Sequence, residues 1–404
     1  MNTDRVSRRI AAITLIGGLG GGLVFPILPA LGFRLGIPGF MVGLILAANR
    51  IARLVFNAPA GHLIQRLGAR RILTGALAVE TVGILGYSAA LRSGHPAAWL
   101  LAGRTLFGVG TAFLMVGAQA AVLSLSRRED RGRKTASVRM AMGAAAPVGL
   151  ILGGTLADLF SEDTAFLTAA AITLGGAILA AAALPPMAAR PGGGARRGGY
   201  AALLASPNRP LLAAAWGFNL LVFLTMQGVL LSTLVILMQQ RHIHLLGLQA
   251  QGTSGIVMAV LMGCSALAAY GLGRALDTAG LRSNLLFPAL AGLAAGFAVL
   301  ALGHTLGLTL LGAVLVGLSY NGVTVPMLAL LGDAVGDHHH GPAVGVNQIF
   351  GDIGGSLGPI VGLEAAVNVG LTPLYLGLAL LAALGLPAAV WLRGRERGLR
   401  PPAP

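Results

Sequence analysis

The chain has 404 residues, of which 55% are hydrophobic and only 10% charged, with a mean hydropathy of +0.81 and a formal net charge of +15. Soluble domains carry about a quarter charged residues, so this composition cannot build a water-facing surface. It excludes a soluble nucleic-acid binder, a disordered chain and an ordinary cytosolic enzyme, and a single cysteine, Cys264, excludes a disulfide scaffold.

A helix needs about 20 apolar residues to cross the hydrocarbon core of a bilayer. Twelve stretches meet that length: 10–33, 39–60, 72–91, 97–123, 136–157, 164–184, 210–238, 252–272, 284–303, 305–331, 342–368 and 372–392. They are rich in Leu, Ala and Gly and lack the period-2 alternation of a barrel strand, so they read as helices. The first is too long for a signal-peptide core and has no cleavage site. It carries Gly17-Gly18-Leu19-Gly20-Gly21-Gly22, which permits close helix packing, and Pro26 and Pro29, which free backbone groups where a helix bends.

Ionisable side chains inside a bilayer are expensive, and each marks either function or a satisfied interior group. The second stretch holds Arg50, Arg53 and Asn57 at i, i+3 and i+7, on one face. The third holds Glu80 at mid-length with no partner in its own helix, and the fourth holds Arg104 and Gln119. Asn219 and Gln227 lie in the seventh, Tyr320 and Asn321 in the tenth, and Gln348, Asp352 and Ser356 follow one another at intervals of four in the eleventh. Such polar groups serve helix packing as readily as a ligand. His338-His339-His340, after Asp333 and Asp337, reads as a solvated loop, because adjacent histidines do not make a preorganised metal site. Neither a nucleotide-binding nor an H-E-x-x-H pattern occurs, so neither cofactor nor metal nor enzymatic activity is expected.

Basic residues orient the layout. With the N-terminus in the cytoplasm, twenty-one of the 28 Lys and Arg residues fall in cytoplasmic segments, among them Arg66, Arg70, Arg71, Arg127, Arg128, Arg282 and Arg393. The outer loops hold only Arg34, Arg92 and Arg241. This bias predicts both termini on the cytoplasmic side of the inner membrane and makes most of the positive charge an orientation signal, one that also meets anionic headgroups.

The spans form a repeat. Residues 1–184 and 210–404 read as two six-helix bundles joined by a Pro-, Gly- and Arg-rich linker over 185–209. An offset of 212 carries Gly61 and Gly68 onto Gly273 and Gly280, and also Gly143 onto Gly355 and Pro147 onto Pro359. A six-plus-six duplication is the mark of a transporter whose halves move about a midplane site.

The loop Gly61-His-Leu-Ile-Gln65-Arg66-Leu-Gly68-Ala-Arg70-Arg71, the fourth-helix run Gly103-Arg104-Thr-Leu-Phe-Gly108-Val-Gly110 and the fifth-helix run Gly143-Ala-Ala-Ala-Pro147 to Gly153-Gly154 resemble motifs of the major facilitator superfamily, over nearly the whole chain. The signature aspartate of the loop is Gln65 here and survives as Asp277 in the second half, where the following arginine is Thr278. The resemblance implies an all-α fold of two six-helix bundles related by a pseudo-two-fold axis, with helices one, four, seven and ten around a central cavity. It implies that helices two and eleven meet, so that Asp352 pairs with Arg53 or Arg50 as a gate or as a static pair. Gln65, Arg66 and Asp277 belong to the implied cytoplasmic latch.

Proton coupling falls to Glu80, Asp352 and Arg104, although the first helix lacks the acid that many drug/proton antiporters of the resembled family carry there. Substrate contacts fall to Gln119, Asn219, Gln227, Tyr320 and Asn321. The expected protein is a monomeric, proton-coupled exporter of a small lipophilic or amphipathic compound, embedded in lipid and without nucleic-acid partners. A symporter importing a metabolite or organic anion, and a non-transporting lipid-handling or sensor protein on the same scaffold, are the alternatives.

Overall fold

The computed structural model describes residues 3–126, 130–185, 203, 206–278, 281–335 and 340–398. The linker between the repeats, Asp337 and His338-His339 of the histidine run, and Gly280 of the second loop motif lie largely or wholly outside the described residues, as do the side chains of Gln65 and Asp277.

The fold is all-helical. Eleven spans among the described residues are long and apolar enough to cross a membrane, from Thr3–Arg34 to Leu371–Arg397. A further helix, His340–Asn368, is equally long, but Asn347, Gln348 and Asp352 dilute its apolar character. Large apolar side chains such as Val55, Met140, Ile178, Leu267 and Leu380 stand exposed along the spans. Water would penalise so many, whereas lipid tails solvate them.

Several helix boundaries differ from those expected. The second and third spans were expected to end at 60 and begin at 72, yet helix runs through Gly39–Ala90, broken only at Gly68 with φ 77° and ψ 159°. Glycine adopts that backbone without steric cost, and the change of direction is confined to one residue. The first span breaks at Phe25-Pro26-Ile27, between Thr3–Val24 and Leu28–Arg34, where two prolines remove backbone donors. The seventh contains a π-helical segment, Phe223–Leu230, between α-helices Arg209–Val222 and Leu231–Gln240.

The chain falls into two compact units: Met1–Gly193 with Leu234–Ala259, and Gly194–Thr233 with Val260–Pro404. The ends of the seventh and eighth spans around the 241–249 loop thus pack with the first six spans. In the first unit, Ile10, Ile13, Leu73, Leu77, Leu114, Val122 and Val138 form one buried apolar core. The third and fourth spans approach so closely that a Cβ on Gly103 would lie 2.5 Å from the carbonyl oxygen of Gly83. At the end that carries the N-terminus, buried Lys134 binds Asp130 at 2.5 Å, Asp4 at 3.0 Å and the Thr3 hydroxyl at 3.0 Å. At the opposite end Arg92 and Ser88 both bind the Asp163 carboxylate.

In the second unit, Phe297 packs against Tyr375, whose hydroxyl meets the Thr233 hydroxyl at 2.8 Å. Buried Glu396 accepts from the amides of Arg282 and Ser283 at 2.7 and 2.9 Å and from the Ser283 hydroxyl at 2.6 Å. That carboxylate caps the short turn Arg282–Leu285 ahead of the ninth span.

Candidate functional site

A group of buried polar side chains in the first unit lies on the third and fourth spans, against the first. Glu80 and Tyr87 are seven residues apart on the third span, and Arg104 and Thr111 seven apart on the fourth, so each pair shares a face. Glu80 is fully buried, with 0% exposure. Its Oε1 accepts from the Thr111 hydroxyl at 3.0 Å, and Thr111 also donates to the Phe107 carbonyl at 2.9 Å. Its Oε2 meets no hydrogen-bond partner and faces the first span, where a Cβ on Gly17 would lie 3.2 Å away.

Arg104, 3% exposed, lies between two rings: the guanidinium carbon is 5.7 Å from the centroid of Phe25 and 5.8 Å from that of Phe107. Phe25 sits in the break of the first span, so the kink presents its ring to the cation. The Tyr87 hydroxyl lies beside the guanidinium and within electrostatic reach of Glu80, yet it meets no donor or acceptor in hydrogen-bonding geometry. The Tyr87 ring packs on Phe166 of the sixth span at 5.6 Å. Among the described residues no carboxylate forms an ion pair with Arg104, and its Nε has no partner. Two aromatic faces supply the attraction that an anion otherwise would.

One buried acid, one buried cation and a phenol thus follow one another along the facing third and fourth spans, each with an uncommitted polar atom. In such surroundings electrostatic interactions are stronger than in water. Tyr87 is the group that feels both of the others, the guanidinium of Arg104 and the carboxyl of Glu80. Of the sequence candidates, Glu80 and Arg104 both lie within electrostatic reach of Tyr87, and the structure adds Tyr87, Thr111, Phe25 and Phe107, which the sequence reading did not select.

The other candidates are more dispersed. Arg50 and Arg53 are half-buried on the second span, Arg66 is exposed, and Gln119 is exposed on the fourth. In the second unit, Asn219 donates to the Asn347 carbonyl at 2.6 Å, and Asn321 donates to the carbonyl and hydroxyl of Ser265, both at 2.7 Å. Those amides tie the seventh span to the eleventh and the tenth to the eighth, a helix-packing role. Gln227 is half-buried in the π-helical segment, and the Tyr320 ring packs at 5.5 Å on Phe223 of the same segment. Local π-helix often marks a functional position within a helix. Asp352 is buried at 1% exposure, and its carbonyl accepts from Ser356 at 2.7 Å. No cluster of three or more His, Cys, Asp or Glu side chains among the described residues could hold a metal ion.

A chain of twelve long helices with charged groups buried at mid-span belongs to the class of polytopic membrane carriers. It is a member of the Major Facilitator Superfamily, whose model matches residues 10–263 and 244–404, and so a multi-pass secondary transporter rather than an enzyme. In sequence, it is similar to the bacillibactin exporter of Bacillus subtilis (strain 168), 32% identical over 106 residues, 26% of either chain. It is similar also to Multidrug resistance protein 1 of the same organism, 27% identical over 158 residues, 38% of this chain and 39% of that protein. The quinolone resistance protein NorA of Staphylococcus aureus is 25% identical over 154 residues, 38% of each chain. The matches thus span between a quarter and two fifths of these relatives.

Among solved structures, a bacterial homologue of the human lysosomal transporter Spinster, inward-facing and unoccupied, superposes with a TM-score of 0.80 at 13% identity over 99% of both chains. The nucleoside transporter NupG does so with a TM-score of 0.76 at 14% identity, covering 97% of this chain and 99% of that one. At such identities the likeness concerns the fold alone.

Proposed function

We propose that this transporter couples the inward movement of protons to the export of a small lipophilic or amphipathic compound, as a monomer in the inner membrane with both termini in the cytoplasm. The observation that carries the proposal is Glu80: a fully buried carboxyl with one oxygen held by Thr111 and the other uncommitted, facing Gly17 of the first span. A proton carrier requires a carboxyl that can hold a proton without dismantling an ion pair, and this one has no cation bonded to it. Export is supported by the names of the relatives, an exporter and two drug-resistance proteins. Orientation is supported by the arginine bias of the loops.

Sealed vesicles containing the purified protein test this reading. An imposed pH gradient is expected to drive accumulation of a lipophilic cationic dye, and collapse of the gradient to release it. Absence of flux for any lipophilic compound, with binding retained, overturns transport in favour of a sensor. A second reading, symport of an organic anion, is favoured by one observation: Arg104 has no carboxylate bonded to it among the described residues. Uptake of an anion along the gradient, with no dye export, selects it.

The gate assignment belongs to the same proposal and rests on spacing, with Asp352 about nine residues, roughly 13 Å, from the end of its helix and Arg53 and Arg50 at matching depths. Replacing Asp352 by Asn is expected to slow flux and alter the reactivity of cysteines placed along the cavity helices. Unchanged values of both reduce the group to a static pair.

A further inference from the structure

The end of the first unit opposite the N-terminus carries acids that the proton-coupling reading does not use, and two of them, Asp158 and Glu162, meet the eighth span. Asp158 ends the fifth span and Glu162 begins the sixth. The eighth span starts at Ala250. Asp158 Oδ2 accepts from the Gly252 amide at 2.7 Å, and the amides of Gln249 and Gln251 face the same carboxylate. These are the donors that the first turn of a helix leaves without partners, and an anion there also meets the positive end of the helix dipole. Glu162 Oε1 accepts from the Gln251 side-chain amide at 3.0 Å and pairs with Arg34 at 2.7 Å. Two carboxylates on adjacent helix ends thus hold the same three-residue start of a third helix.

The backbone below these bonds is packed to match. A Cβ on Gly154 of the fifth span would overlap the Gln251 carbonyl oxygen and come within 3.0 Å of the Gly252 Cα. One turn along, a Cβ on Gly255 would overlap the Leu150 carbonyl oxygen. Helix backbones this close leave no passage between them. The same association is visible at a larger scale, since residues Leu234–Ala259 belong to the compact unit formed by the first six spans.

We propose that Asp158 and Glu162 are a carboxylate latch that keeps this face of the transporter shut, and that opening the face requires both to release the start of the eighth span. The latch differs in kind from a surface ion pair. Asp158 binds backbone amides, so its grip does not depend on a side chain at the far end. Arg34 and Gln251 serve Glu162 instead, and Arg92 and Asp163 nearby tie the third span to the sixth without touching the eighth. The assignment of this face to the outside of the cell rests on the proposed orientation.

A reporter placed behind the latch tests it. Ser254 is fully buried, one turn into the eighth span, with its hydroxyl bonded to the Gln251 carbonyl at 2.9 Å. Ser254→Cys in a Cys264→Ser background changes little in volume. In intact cells, a membrane-impermeant maleimide is expected to label this cysteine slowly. It should label it about tenfold faster when Asp158→Ala and Glu162→Gln are added, a ratio equal to about 1.4 kcal/mol. Asp158→Asn, which keeps an acceptor and removes the charge, should fall between the two, and the thermal midpoint of each variant in detergent reports whether it is folded. Labelling unchanged in folded variants, both in cells and in inverted vesicles, overturns the latch. Labelling that accelerates only in inverted vesicles upholds the latch and overturns the orientation.

Discussion

Replacing Glu80 by Gln is expected to abolish pH-gradient-driven transport while leaving the protein folded. The amide keeps an oxygen to accept the Thr111 hydroxyl, now at 3.0 Å from Oε1, and the side-chain volume is nearly the same. What it loses is the ability to take up and release a proton. Dye accumulation in vesicles should therefore fall to that of protein-free controls, with dye binding retained. Glu80→Leu sharpens the test, because it removes a buried oxygen that has no partner. An unsatisfied buried polar atom costs about 1–3 kcal/mol, so the Leu variant should be as inactive as Gln yet at least as stable, its thermal midpoint higher by about 2–4 °C for each kcal/mol recovered. A residue that lowers stability and is kept at the core of a bundle is placed there for its chemistry. Gradient-driven accumulation surviving in the Gln variant removes Glu80 from the coupling path and leaves Asp352 as the remaining acid of the original pair.

The spans and their number could be read from the sequence because hydropathy reports what a bilayer demands of a chain, about 20 apolar residues for each crossing. Helix ends were less legible for the same reason. The run from Gly61 to Leu67 mixes His62, Gln65 and Arg66 with Leu63, Ile64 and Leu67, so its hydropathy falls, but it remains helical until Gly68 turns the chain. Hydropathy measures the solvent, not the hydrogen bonding of the backbone. The π-helical segment Phe223–Leu230 has no compositional signature at all.

Glu80 and Arg104 stood out because charge is rare inside a span. Tyr87 and Thr111, each seven residues from one of them, carried a usable signal in that spacing. Phe25 and Phe107 did not, since aromatic residues in an apolar helix are the usual filling. Asn219 and Asn321 were legible as polar, but whether an amide faces a ligand or a neighbouring carbonyl depends on the partner helix, which sequence spacing does not reveal. Asp158 and Glu162 were invisible for another reason. Acids at span ends look like ordinary interface residues, and the amide that Asp158 holds is 94 positions away.

Arg104 decides between the two functional readings. Arg104→Met replaces a buried cation by an apolar side chain of similar length. The two ring contacts are worth about 2 kcal/mol or more in a desolvated site, and the desolvation penalty of an unpaired charge acts in the opposite direction, so the thermal midpoint should change little. Arg104→Lys keeps the charge but loses the flat guanidinium that lies between Phe25 and Phe107, at 5.7 and 5.8 Å. An ammonium is a compact, strongly hydrated charge on a flexible stem and does not reproduce that stacking. If Arg104 acts with Glu80 and Tyr87 in moving the proton, both variants lose maximal flux by roughly a hundredfold, about 2.7 kcal/mol of barrier. The substrate concentration giving half-maximal flux should then stay within about threefold, since a group that acts on the barrier and not on ground-state binding changes rate rather than saturation. If Arg104 instead holds an anionic substrate, half-saturation rises steeply while maximal flux persists, and Lys should rescue part of the loss because any cation attracts an anion. We expect the first pattern, with Lys no better than Met, because the guanidinium lies 5.7 and 5.8 Å from two ring centroids and beside Tyr87, which is within electrostatic reach of Glu80.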